Sequence, residues 1–137
     1  IGKGQVLYRP EGIAHVAIIA TGALVANALR AAKDLGEKKH IKVIVVNIHT
    51  IKPLDEELVI QAARETKAVV TIEEHQTTGG LGGAVAECLA RNCPTPIEFV
   101  GVQDLFGQSG TPNELIEHYG MGRDAIEKAV LKVIERK

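Results

Sequence analysis

The chain has 137 residues, 45% of them hydrophobic, enough for one domain with a real core and too apolar for a disordered class. Lysine and arginine total 16 against 17 acids, a formal net charge of -1, so no broad field draws the chain to nucleic acid or anionic lipid. The aromatics Tyr8, Phe99, Phe106 and Tyr119 are too few and too scattered for a base-stacking platform.

The segment "QVLYRP" (5–10) is short and ends in a proline, which suits an edge strand within a lead-in over residues 1–15. "VAIIAT" (16–21) is apolar and β-branched and runs into Gly22, the pattern of a buried parallel strand. The apolar run from Val16 to Leu29 is interrupted by Thr21, Gly22 and Asn27, so it falls short of the roughly 18 to 20 residues of a membrane span. A helix follows, with Leu24, Val25, Ala28, Leu29, Ala32 and Leu35 at helical spacing and Gly36 placed to cap it. "IKVIVVNI" (41–48) predicts the next strand. In "KPLDEELVIQAARET", Pro53 sets an opening turn, acids at 55 to 57 suit the positive end of a helix, and Leu58, Ala62 and Ala63 face inward.

"KAVVTIEE" (67–74) predicts the third strand of the alternation, and Leu81 to Asn92 a helix that buries Leu81, Val85, Cys88 and Leu89. Prolines at 94 and 96 end it, and "IEFVGV" (97–102) is a further strand. "TPNE" (111–114) is a capping box that opens a short helix ending at Gly120. A last helix, from about Arg123 to Arg136, buries Ile126, Ala129, Val130, Val133 and Ile134. Alternating strands and helices imply an α/β fold over 1–137: a three-layer α/β/α domain with a mostly parallel sheet of four or five strands.

Ligands of such sheets usually bind beyond the carboxyl ends of the strands. There the chain places Thr21 and Gly22, then Asn47, His49 and Thr50, then Glu73, Glu74 and His75, and finally Gln103 and Asp104. Strand ends are polar in any case, so this set by itself marks a surface. Glycines 79, 80, 82 and 83 precede a helix and admit three readings: close backbone packing, an anion cradle at the helix start, or a mobile gate. Their spacing matches neither G-x-G-x-x-G nor the P-loop, and no lysine stands nearby. His75 beside Glu74 is a candidate proton-transfer group. His49 and His75 meeting across adjacent strand ends would still lack a third metal ligand. His15, His40 and His118 read as solvated surface residues. No serine or cysteine sits in a nucleophile elbow. Cys88 and Cys93 suit neither a disulfide framework nor a zinc site and read as thiols of a reducing compartment, the cytoplasm. No secretion signal opens the chain, and its one methionine is Met121, so a processed chain or a piece of a longer one is expected.

In order and at fitting distances, "TIKPLD" (50–55), "EEH" (73–75) followed by "GGLGGAVAE" (79–87), and "SGTPNEL" (109–115) resemble the C-terminal domain of the transketolase family of thiamine-diphosphate enzymes. The resemblance covers roughly Gly2 to Glu135. Deoxyxylulose-phosphate synthases and the β chains of 2-oxoacid dehydrogenases share the domain, while the "EEH" and "SGTP" combination leans toward transketolase. Transketolases move two-carbon ketol units between sugar phosphates and hold thiamine diphosphate and Mg²⁺ between a pyrophosphate-binding and a pyrimidine-binding domain. The resemblance implies that both are needed by the full enzyme and that neither is bound by this chain. The family's G-D-G metal motif has no counterpart here, so no catalytic, cofactor or metal residue carries over. The implied partners are the two other domains and a second protomer of a dimer, or, as in the dehydrogenases, docked subunits. Thr21, His49, Glu74, His75, Gly79, Gly80, Gly82, Gly83 and Asp104 remain as a candidate pocket or interface, and a small-ligand regulatory module is the rival reading.

Overall fold

The computed structural model describes residues 3–74, 80–102 and 112–137. Five strands, β1 (Gln5–Tyr8), β2 (Val16–Ala20), β3 (Val43–Asn47), β4 (Val69–Glu74) and β5 (Ile97–Val102), form one sheet in the order β1-β3-β2-β4-β5. All neighbours run parallel except β1, which pairs antiparallel with β3 at the edge. The helices are α1 (Val25–Lys39), α2 (Glu56–Thr66), α3 (Gly80–Asn92) and α4 (Pro112–Glu135). None among the described residues is long and apolar enough to cross a membrane.

The two-residue period of the strands sorts the core onto both faces of the sheet. Val16, Ile18 and Ala20 of β2 and Val70 and Ile72 of β4 pack with α1 and α4. Ala17, Ile19 and Val69 point the other way, onto Val59 and Ala63 of α2 and Leu81, Val85 and Leu89 of α3. A strand covered on both faces has no room for polar alternation, which is why "VAIIA" and "VIVVN" are almost unbroken apolar runs.

Several boundaries differ from the periodicity. Gly36 does not cap α1: the helix continues through Lys39, and His40 takes the left-handed conformation, φ 56°, with its N–H on the Leu35 carbonyl. Ile41 N–H also reaches Leu35 O, at 3.1 Å, so one carbonyl anchors the turn that delivers Ile41 to the core. The strand that follows spans only Val43–Asn47 rather than 41–48. Lys67 closes α2 in the same left-handed manner, φ 61°, so β4 begins at Val69 rather than at 67.

Pro53, after a cis peptide bond, belongs to a turn, and α2 starts later, capped by Asp55. Asp55 Oδ1 accepts from Leu58 N–H at 3.3 Å and Oδ2 from Gly4 N–H at 2.8 Å, which ties the start of β1 to the start of α2. Leu58 is only partly buried, while Val59, which the pattern passed over, is fully buried.

The C-terminal segment is one helix, α4, where the sequence pattern suggested two with a break at Gly120. Glycine lowers helix stability by about 1 kcal/mol without forbidding the conformation. At Gly122 its bareness serves packing: a β-carbon there would lie 3.1 Å from Asn27 Nδ2 and 3.5 Å from Val102 Cγ1. The capping-box residue Thr111 lies outside the described residues. His15 is half-buried rather than solvated, and its Nδ1 accepts from Lys42 N–H at 2.8 Å.

Because Gly36 occupies a helix interior, where the nearest atom to an added β-carbon is Ile41 O at 3.8 Å, Gly36→Ala is expected to raise the unfolding free energy by about 0.5–1 kcal/mol. A urea titration reads this as a higher midpoint at unchanged slope. A glycine needed for a left-handed cap would give the opposite sign.

Candidate functional site

The chain leaves β2 toward β3 on one side and leaves β4 toward β5 on the other, so strand order reverses between the carboxyl ends of β2 and β4. The parallel register pairs Ala20 with Ile72. Thr21 therefore follows β2 at the level of Glu73, and it opens a short 3-10 turn, Gly22–Leu24, without a side-chain cap bond. Glu74 ends β4 opposite Val102 and is half-buried. His49 is exposed and follows β3, which β2 separates from β4. The ends of β3 and β4 are thus two strand spacings apart, about 10 Å. β3 and β4 are therefore not adjacent strands, and whether His49 meets His75 falls outside the described residues. His75, Gly79 and Asp104 lie outside the described residues.

The centre of this edge is Glu73, a residue that the strand-end set included without singling out. It shares the sheet face of Val69, the face covered by α2 and α3, and is only 4% exposed. Its Oε1 accepts from Leu81 N–H at 3.0 Å and its Oε2 from Gly82 N–H at 2.8 Å. Both donors belong to the first turn of α3, where backbone N–H groups have no partner within the helix and the helix dipole favours negative charge. Two amides of this helix start are thus taken by a carboxylate of the chain itself.

Gly82 makes that approach sterically feasible. A β-carbon on Gly82 would lie 2.9 Å from Glu73 Oε2 and 2.7 Å from Phe99 Cδ1. Gly82 is buried, while Gly80 and Gly83 are exposed at the helix start. Of the three readings of this turn, close packing is the one the described geometry supports. The signal was present in the strand alternation: an acid on the helix-facing side, at the last buried turn of a strand, eight residues before the helix's second residue.

No group of three or more His, Cys, Asp or Glu residues among the described ones is placed to hold a metal ion. Burial, with a smaller push from the Glu56 carboxylate, raises the Cys88 thiol above its ordinary range. It therefore stays protonated at neutral pH and is a poor nucleophile. Asn27, in the first turn of α1, is buried against α4, and neither of its side-chain polar atoms has a hydrogen-bond partner among the described residues.

Comparison with known proteins places this arrangement in a wider setting. The family model described as the transketolase C-terminal domain matches residues 4–126. The 6-deoxy-6-sulfo-D-fructose transketolase subunit of Clostridium sp. (strain MSTE9) is 47% identical over 137 residues, which is 100% of this chain and 41% of that protein. A putative transketolase C-terminal section of Methanocaldococcus jannaschii is 40% identical over 99% of this chain and 41% of its own length. The 1-deoxy-D-xylulose-5-phosphate synthase of Heliobacterium modesticaldum is 41% identical over 122 residues, 88% of this chain and 18% of the synthase. A solved structure described as a split-gene transketolase, inactive beta4 tetramer, superposes with a TM-score of 0.79 at 47% identity, over 98% of this chain and 43% of that one. The chain thus spans 41% of the length of the first two relatives.

Two substitutions test the seated carboxylate. Glu73→Gln turns one acceptor into a donor facing an N–H and is expected to cost about 2–3 kcal/mol of stability. Gly82→Ala, a change that favours an isolated helix, is expected to cost about 1–2 kcal/mol through overpacking. Chemical denaturation measures both, and a neutral Gly82→Ala would remove the steric argument.

Proposed function

The chain belongs to the transketolase C-terminal domain family, and from that membership we propose that it is the structural and assembly domain of a transketolase-type enzyme that moves two-carbon ketol units between sugar phosphates. On this reading thiamine diphosphate and Mg²⁺ are held by the pyrophosphate- and pyrimidine-binding portions, and this domain joins those portions and a second protomer. The observation that carries the proposal is Glu73: the start of the helix after the glycine turn already carries an internal carboxylate on its Leu81 and Gly82 amides. The transketolase subunit and the split-gene transketolase support the partners, since this chain covers 41% of the one and 43% of the other. The free thiols of Cys88 and Cys93 suit the cytoplasm as the compartment.

A second reading keeps the domain and changes the parent, because 1-deoxy-D-xylulose-5-phosphate synthases match at similar identity. Assay of the longer polypeptide with sugar-phosphate donors and with pyruvate separates the two. The purified 137-residue chain, given excess thiamine diphosphate and Mg²⁺, is expected to show no ketol transfer. Transfer is expected only when the other portions are supplied, and turnover by the chain alone overturns the reading.

A further inference from the structure

Helix α4 runs back along β5. Arg136, near its end, donates to Ile97 O at 2.9 Å and bridges Glu98 at the start of the strand, while Gly122 lies against Val102 at the strand's end. Ile126, Ala129, Val130 and Val133 seat the part after Gly122 in the core. Residues 112–121 continue the helix past the last residue of the sheet, about 15 Å at the rise of an α-helix. α4 thus has a seated half and an overhanging half, and Gly122 stands where they meet.

Around Gly122 the local signals favour a break. Gly120 and Gly122 are poor interior residues, and Gly120 suits the left-handed position that ends a helix. Asp124 and Glu127 have the spacing of a helix start, an N-cap acid with a glutamate three positions on. In the continuous helix both acids are interior instead. Asp124 is exposed and Glu127 half-buried, its carboxyl raised above the ordinary range by burial, by Asp34 of α1 and by Asp124, with Arg123 and Lys38 opposing.

Unpaired polar atoms collect at the same place. Of the five buried side-chain atoms without a hydrogen-bond partner among the described residues, three belong to Asn27 (Nδ2 and Oδ1) and to Arg123 (Nε), next to Gly122 in the chain. Asn27 Nδ2 lies 3.1 Å from where a β-carbon of Gly122 would stand, so the bare glycine lets this amide approach the helix backbone. While the helix is continuous, the backbone groups there are bonded within it. A break would free the carbonyls of 117–120 and the N–H groups of 121–124. The Asn27 amide, with donor and acceptor side by side, matches both kinds.

We propose that α4 is a two-state joint, continuous in one form and broken between Gly120 and Asp124 in the other. In the broken form Asn27 bonds the freed backbone, Asp124 and Glu127 cap the seated half, and the overhanging half is re-aimed at the carboxyl edge of the sheet. Each form leaves groups unsatisfied, the continuous one a buried amide and a guanidinium nitrogen, the broken one part of a turn of backbone bonds. A neighbour that contacts the overhanging half in only one form shifts the balance. The joint belongs to the domain itself and holds whether the parent enzyme is a transketolase or a synthase.

Amide hydrogen exchange of the full polypeptide, corrected for intrinsic rates, reads the joint residue by residue. Amides 121–124 are expected to exchange several-fold faster than 116–120 before them and 126–130 after them, since both halves stay helical in both forms. Asn27→Leu, similar in shape with nothing to pair, is expected to slow that window about tenfold. Asp124→Ala, an exposed change outside the core, is expected to slow it as well. Uniformly slow exchange through 116–130 overturns the joint. Exchange that rises steadily toward Pro112 is fraying and also overturns it, as does a fast window that neither substitution slows.

Discussion

Two hydrogen bonds from the start of α3 to the Glu73 carboxylate organise the carboxyl edge of this domain. They satisfy donors that every helix start leaves open, and they place a negative group where the helix dipole is most favourable. Because Glu73 is buried, the carboxylate would be costly without those partners, so strand and helix are stable there only together. Gly82 follows from this constraint, since its missing side chain is the space that the carboxylate and the Phe99 ring need.

The rest of the layer is arranged around the same economy of space. Alternate residues of β2 and β4 serve opposite faces, so each helix pair meets a largely apolar surface. Gly122 brings α4 close to α1 as Gly82 brings α3 close to β4. Asp55 does for α2 what Glu73 does for α3, and in addition holds Gly4, so the first strand is coupled to a helix more than fifty residues away. Two carboxylates at this edge, Asp55 and Glu73, thus act as internal caps.

Much of the candidate set was legible as location and little of it as chemistry. Thr21, Glu74 and His49 do lie at carboxyl ends of strands, as the alternation of elements implied. Which of them are neighbours was not legible, because β2 sits between β3 and β4 and no local pattern encodes that order. Gly36 and His40 show a similar limit at the level of caps. Glycine is the residue that adopts the left-handed conformation at least cost, yet the helix ends where Ile41 must reach the core, and His40 accepts the strain.

By itself the sequence determined the α/β class, the strand cores, most helix faces and the family, because hydrophobic period and motif spacing are local properties carried by consecutive residues. Tertiary structure alone decided strand order, the continuity of α4, the separation of His49 from β4 and the seating of Glu73 on α3. Those depend on which distant surfaces meet. A carboxylate and a glycine nine positions apart have no encoded relation until strand and helix are folded against each other.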